Sequence, residues 1–360
     1  MVFVYFLLAG IVTVYASIKL SQYADVISEK TAMGGMMVGT LLLAGATSLP
    51  EVSTSFSAAA IGNADIAVGN MIGSNLFNLF ILAGFDFLLR RRRILDRASR
   101  NNIYTALLGI LLTVLVIMAL WLRIETQILG VGLDALIIAI TYIVGMVLIN
   151  KLPSLDPEAE AAAEDEEEPD NPSATLSPKG AIIRFIIAAL VILGAGTALS
   201  ITGDQIAIIT GIGSSFIGSF LIAAATSLPE AIAVFVALRL NNVNMAVGAI
   251  LGSNIFNMII LALSDPVYRD GNLIAAATPG ATMIIATGVL IMSFLALYSL
   301  VRRNSASVMT YALPSLIIVI IYFAASYMNF TYSEKSESAC PALKGIRQTS
   351  EVALFATRLG

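Results

Sequence analysis

Residues 39–85 and 218–264 carry one sequence twice. Aligned at an offset of 179 residues they need no gap, and 23 of the 47 positions are identical. The matches cluster: ATSLPE at Ala46 to Glu51 recurs at Ala225 to Glu230, and GSNLFN at Gly73 to Asn78 recurs as GSNIFN at Gly252 to Asn257. Self-similarity at this level means that one structural unit is built twice, so any fold for the chain must place two equivalent copies.

Both copies lie in long apolar runs. The chain is 58% hydrophobic and 12% charged, with a mean hydropathy of +0.89, and its charged share is about half that of an ordinary soluble domain. Runs of about 20 apolar residues, enough to cross ~30 Å of hydrocarbon, predict ten spans. Five lie at 2–20, 33–61, 66–89, 102–121 and 128–150, and five at 181–202, 213–240, 244–264, 277–300 and 308–328. The first lacks a basic flank and a cleavage site and reads as a span rather than a signal peptide. The expected organisation is a first five-helix repeat over 1–150, an acidic linker over 151–180, a second five-helix repeat over 181–330 and a polar tail over 331–360. The fold class is an all-α polytopic membrane protein.

Each copy follows one leading span, and five spans per half is an odd number. The second copy therefore enters the membrane from the opposite side, which makes the repeats inverted, a common plan for secondary transporters. Lys19, Lys30, Arg90 to Arg93, Arg97, Arg100, Lys151, Lys179, Arg184, Arg239, Arg302 and Arg303 fall on one side of the ten-span arrangement, against Arg123 and Arg269 on the other. Basic loops stay cytoplasmic, so both termini are expected outside and the acidic linker inside. Nine linker acids from Asp156 to Asp170 could bind calcium weakly, but a like-charge run reads better as a solvated tether. Arg90 to Arg93 read as a topology anchor at the lipid headgroups.

Pro50 and Pro229 sit inside apolar runs, where proline lacks an N–H and crowds the carbonyl four residues earlier. A break is predicted at each, and at membrane depth broken backbone is tolerated only against protein, water or an ion. Glu51 and Glu230 follow directly, in the first turn of the continuing helix, where the macrodipole favours negative charge. An intramembrane acid costs on the order of 2.5–3.5 kcal/mol on insertion scales. A capping box at Thr47 or Ser48 is the plain alternative, but capping does not account for an inverted pair at membrane depth. The carboxylates, the hydroxyls of Thr47, Ser48, Thr226 and Ser227, freed carbonyls and the amides of Asn78 and Asn257 form an all-oxygen set that suits Ca²⁺ better than the tighter octahedron of Mg²⁺. Two carboxylates balance one divalent ion or two monovalent ions or protons, the charge arithmetic of an antiporter. Ser74 and Ser253 are read as ion contacts, Asn75 and Asn254 as bridges between helices, and Gly69, Gly73, Gly84, Gly248 and Gly252 as points of close helix approach.

The chain has no histidine, which removes Ser/His/Asp triads and HExxH sites, and its single cysteine, Cys340, lies in the tail. GxSxG and GxGD are also missing, so a membrane enzyme would have only Glu51 and Glu230 as acid and base. No enzyme, no cofactor and no nucleic-acid partner is expected; the partners are inorganic cations and the lipid bilayer. A channel is disfavoured because inverted broken helices suit alternating access.

The paired ATSLPE and GSN(L/I)FN segments resemble the two alpha-repeats of the cation/calcium exchanger superfamily, in particular the prokaryotic sodium/calcium exchangers. The resemblance implies the sodium/calcium exchanger fold, with helices 2, 3, 7 and 8 as an ion cage and helices 1 and 6 sliding over it. It implies that Glu51, Glu230, Thr47 and Thr226 bind calcium, that the carbonyls of Ala44 and Ala223 with Ser48, Ser227, Ser74 and Ser253 form sodium sites, and that Asn78 and Asn257 complete the middle. The expected transport is Ca²⁺ against Na⁺; the alternative is the same fold with another pair, Ca²⁺/H⁺, Mg²⁺ or Mn²⁺. Relatives that couple potassium carry an acid where this chain has Asn257, and the GNxxE signature associated with proton/calcium exchangers is missing. Most relatives have glycine where this chain has Ala46 and Ala225, which puts an extra methyl beside the ion-facing backbone.

Overall fold

A computed structural model describes residues 1–30, 47–155, 176–239, 241–302 and 307–338. They are almost entirely helical. We label the long elements α1 (Val2–Lys30), α2 (Leu49–Ala60), α3 (Ala64–Leu88), α4 (Asn102–Leu122), α5 (Leu133–Ile149), α6 (Pro178–Thr210), α7 (Ser214–Thr226 and Leu228–Arg239), α8 (Val243–Ser264), α9 (Pro279–Val301) and α10 (Val308–Ser338). Among the described residues seven helices are long and apolar enough to cross a membrane, and the two halves of α7, bent by 42°, make an eighth when counted as one span. The second expected span, 33–61, lies partly outside the described residues, and α2 is the part of it that is seen. The fifth, expected over 128–150, starts only at Leu133 because Gln127–Ile128 and Val131–Gly132 pair as a short antiparallel ribbon. Leu129 (φ 54°) and Gly130 (φ 80°) turn that ribbon with two left-handed residues, the pattern of a tight hairpin.

The two copies run antiparallel. At one end of the molecule Asp65, in the first turn of α3, accepts from the Thr278 backbone N–H (2.6 Å) and hydroxyl (2.8 Å), beyond the end of α8. At the other end the Ser99 N–H, beyond the end of α3, donates to Asn244 in the first turn of α8 (2.7 Å). The start of each helix therefore meets the segment just past the end of the other, as inversion requires. Asn63 and Asn242, equivalent at the 179-residue offset, cap α3 and α8 alike, accepting from Ile66 N (3.0 Å) and Met245 N (2.8 Å).

Burial separates a centre from a periphery. The most apolar windows of α3 and α8 are 83% and 67% buried, whereas those of α1 and α6 are 22% and 28% buried, so the repeat helices form the core and α1 with α6 present Phe3, Leu7, Ile183 and Leu190 outward. Helix α6 meets α2 through small and hydroxyl-bearing residues: Ser53 Oγ donates to Leu193 O (2.9 Å), Ser57 pairs with Thr197 (2.8 Å), and Ser200 Oγ donates to Thr54 O (2.6 Å). Close approach between α3 and α7 rests on glycine. A Cβ at Gly69 would lie 3.1 Å from Ser215 O, and one at Gly73 would lie 2.6 Å from the Ser219 carbonyl carbon. At the same offset, the segment opposite Gly248 and Gly252 is 36–40, outside the described residues. A Cβ at Gly84 would meet nothing described within 4 Å, so the close approach expected of that glycine is not seen there.

Candidate functional site

The SLPE motif breaks both repeat helices at the same residue. Ser48 (φ −89°, ψ 5°) and Ser227 (φ −90°, ψ 3°) leave the α region, and Pro50 and Pro229 then sit in the first turn of α2 and of the second half of α7. Proline is accepted there because first-turn N–H groups have no helical partner anyway. Ser48 makes no side-chain cap, and the Ser227 hydroxyl donates instead to Glu51 Oε1 of the other repeat (3.1 Å), so capping does not explain these serines.

Glu51 lies nine residues before the end of α2 and Glu230 nine residues before the end of α7. At about 1.5 Å per residue, each is about 14 Å from a helix end, close to half the thickness of a ~30 Å hydrocarbon layer. Both are buried, at 1% and 3% exposure, and each carboxylate lies within electrostatic reach of the other. Ser227 of the second repeat hydrogen-bonds to Glu51 of the first. Among the described residues no third acidic, histidine or cysteine side chain joins them, so two carboxylates set the charge of the site.

Neutral oxygens are oriented by the GSNxFN motifs. Asn75 Nδ2 donates to Asn254 O (3.0 Å) and Asn254 Nδ2 to Asn75 O (3.5 Å), while Asn78 Nδ2 donates to Asn254 Oδ1 (3.0 Å) and Asn257 Nδ2 to Asn75 Oδ1 (2.9 Å). This reciprocal set is self-complementary, as contacts about a two-fold axis are. It uses an amide N–H of Asn78 and of Asn257 and leaves both Oδ1 atoms without a donor. Among the described residues, five buried oxygens of the expected ligand set have no hydrogen-bond partner: Glu51 Oε2, Glu230 Oε2, Asn78 Oδ1, Asn257 Oδ1 and Ser74 Oγ. Buried polar atoms are normally paired, so a concentration of lone-pair oxygens on α2, α3, α7 and α8 is a set of acceptors suited to hard cations.

The remaining expected residues divide. Ser48, Ser227, Thr226 and Ala223 are buried, whereas Thr47 and Ser253 are half-buried. Ala223 O already accepts from Ser227 N (3.0 Å) and Thr226 Oγ1 (3.3 Å), so an ion at that oxygen would share it. It follows a π-helical stretch, Ile217–Ile222, a winding that re-aims backbone carbonyls. Ala44 and Ala46 lie outside the described residues. Ala225 turns its methyl to α1, 3.8 Å from where a Cβ on Gly10 would be, so the extra carbon packs on the first helix instead of crowding the ion-facing backbone.

Two polar features escape the repeat pattern. Asn70 donates to Thr54 (2.6 Å) and Ser55 (3.1 Å) and accepts from Thr226 (3.4 Å), extending the polar interior into the first half only; its counterpart is Ala249, and that mismatch beside the shared Gly69 and Gly248 was the available signal. Asp86 and Asp265 are also equivalent, one residue past the aligned stretch. Asp86 accepts from Tyr311, from Ser315 (2.5 Å) and from Leu95 N (3.3 Å), and Asp265 accepts from Gly132 N (2.6 Å) and Leu273 N (2.8 Å). Every oxygen of that pair accepts at least one hydrogen bond, in contrast to Glu51 and Glu230, whose Oε2 atoms accept none among the described residues.

Asn75→Ala removes the acceptor that orients Asn257 while leaving both carboxylates in place. Loss of buried hydrogen bonds at about 1–2 kcal/mol predicts a rise of about 5- to 30-fold in the calcium concentration for half-maximal uptake. An unchanged value would show that the amides need no such support.

Residues 1–150 and 180–332 match the family model described as sodium/calcium exchanger protein. The chain belongs to this family. The exchanger is 29% identical over 307 residues to CaxA of Alkalimonas amylolytica, a proposed antiporter, covering 83% of this chain and 92% of that one. It is 28% identical over 256 residues to the membrane protein MJ0091 of Methanocaldococcus jannaschii, covering 70% and 76% of the two chains. Among solved structures its fold is similar to the H⁺/Ca²⁺ exchanger CAX (TM-score 0.58, 15% identity, 95% and 92% coverage) and to the sodium-calcium exchanger NCX_Mj (TM-score 0.55, 23% identity, 90% and 97% coverage). The chain is thus an integral membrane antiporter of a calcium-exchanger family and not an enzyme.

Proposed function

We propose that this exchanger moves Ca²⁺ in return for Na⁺ by alternating access around Glu51 and Glu230. The observation that carries the reading is the pair of buried carboxylates from antiparallel helices, each with a partnerless oxygen, together with three partnerless neutral oxygens on α3 and α8 among the described residues. Two negative charges in low dielectric repel each other and must be neutralised, by one Ca²⁺, two Na⁺ or two protons. Loads that neutralise the same pair exclude one another, which is competition at a single site. Thr47, Thr226, Ser48, Ser227, Ser74, Ser253, Ala44 and Ala223 supply further oxygens, and the lightly buried pair α1 and α6 covers the core and shifts over it.

The halves 1–150 and 181–330 act as the two repeats of this mechanism, joined by a linker on the cytoplasmic side of a prokaryotic plasma membrane, with both termini outside. Arg90, Arg93, Arg239 and Arg302 support that orientation. They lie at the ends of α3, α7 and α9 on one side of the molecule, each over an aromatic ring at 4.8–5.7 Å, as anchors at a cytoplasmic interface do.

The test is calcium uptake into proteoliposomes under three imposed gradients. A sodium gradient should drive uptake, whereas a pH gradient or a potassium gradient alone should not. Uptake driven by protons and indifferent to sodium would replace the sodium reading by Ca²⁺/H⁺ exchange on the same site.

A further inference from the structure

A second group of acids lies outside the transport site, at the end of the molecule opposite the arginine anchors. Asp134, in the first turn of α5, and Asp265, at the end of α8, are buried at 5% and 1% exposure and interact electrostatically. Neither forms an ion pair with a lysine or arginine among the described residues. Asp265 accepts from Gly132 N and Leu273 N, and Asp134 Oδ1 accepts from Ala135 N (2.9 Å), but Asp134 Oδ2 is buried with no partner among the described residues. Asn272, 4% exposed, donates its amide N–H groups to the carbonyls of Ile124 (2.7 Å) and Thr126 (3.2 Å), and its Oδ1 also has no partner.

These groups surround one glycine. A Cβ at Gly132 would lie 2.5 Å from Asp134 Oδ1 and 3.1 Å from Asn272 Cγ, while the Gly132 N–H is the group that Asp265 holds. The glycine has φ −58° and ψ 138°, angles open to any residue, so space for the acid and the amide, not backbone freedom, is what it supplies. Two carboxylates and an amide oxygen, buried and with no ion-paired lysine or arginine among the described residues, form a donor set for a hard cation.

We propose that Asp134, Asp265 and Asn272 form a second, peripheral site for a divalent cation, separate from Glu51 and Glu230 and set at the end of α8. The cation is held by Asp134 Oδ2, Asn272 Oδ1 and the Asp265 carboxylate, and it ties the start of α5 to the loop after α8.

The test counts calcium bound to purified full-length protein by equilibrium dialysis with radiolabelled Ca²⁺. The variant carrying both Glu51→Gln and Glu230→Gln should retain one calcium per chain. Adding Asp134→Asn should abolish that binding, adding Asn272→Ala should weaken it at least tenfold, and adding Asp270→Asn, an exposed acid in the neighbouring loop, should leave it unchanged. Asp134→Asn and Asn272→Ala leave every backbone group that Asp265 caps in place, and a monodisperse elution profile confirms folding. No calcium on the Glu51→Gln, Glu230→Gln protein, or full binding after Asp134→Asn, overturns the proposal. Because binding is read in a protein whose transport site is disabled, failure of the sodium-driven transport reading leaves this count untouched.

Discussion

Replacing Glu51 or Glu230 with glutamine should abolish calcium uptake into proteoliposomes, by at least a hundredfold for either single change. Glutamine keeps the volume and a hydrogen-bonding end, so the fold around a buried position is retained, but one of two negative charges is gone. At an effective dielectric of about 20, a unit charge pair at 4 Å is worth on the order of 4 kcal/mol, which is about a thousandfold in affinity. A second readout separates this from a folding defect. Calcium that binds only the folded state raises its melting temperature by mass action, and in an Asp134→Asn background, where the proposed peripheral site is disabled, that shift should vanish in each variant. In calcium-free, sodium-free buffer the variants should be at least as stable as the parent, because a buried acid is replaced by a neutral amide of similar volume. Uptake that survives either substitution would remove the carboxylate pair from the mechanism.

Much of this arrangement is legible along the chain because it depends on local pattern. The duplicated ATSLPE and GSNxFN segments are visible as identities, and the odd number of apolar runs between them carries the inversion that Asp65 with Thr278 and Ser99 with Asn244 display in three dimensions. The breaks at Ser48 and Ser227 follow from proline chemistry alone. The features that the chain does not reveal depend on contacts across the pseudo-two-fold axis. That Asn75 and Asn254 orient Asn78 and Asn257 is a matter of which amide faces which, and spacing is silent on it. The π-helical winding of Ile217–Ile222 has no sequence period of its own, since one extra residue in a turn leaves an apolar run unchanged. Asp134 and Asn272 are 138 residues apart in sequence, one in the first turn of α5 and the other in the loop after α8, and only folding brings them to Gly132.

Gly73→Ala is the second substitution with a large expected effect, and it tests the packing rather than the charge. The added methyl would enter the backbone of Ser219, at 2.6 Å from its carbonyl carbon, and backbone held in a helix cannot swing aside as a side-chain tip can. Overpacking of this kind costs about 1–3 kcal/mol and sometimes more. Between membrane helices it is hard to offset, because lipid tails are as apolar as the helix surface and close packing supplies much of the attraction. The damage should also reach the site, since Ser74 follows Gly73 directly and Ser219 lies in the winding that leads to Ala223 and Thr226. We therefore expect a melting temperature lowered by several degrees together with loss of most calcium uptake. Gly84→Ala, eleven residues along the same helix where a Cβ meets nothing described within 4 Å, should be close to neutral on both counts. Equal stability and equal transport in the two variants would show that α3 and α7 do not depend on backbone contact at Gly73, and the route by which the repeat glycines hold the cage together would have to be abandoned.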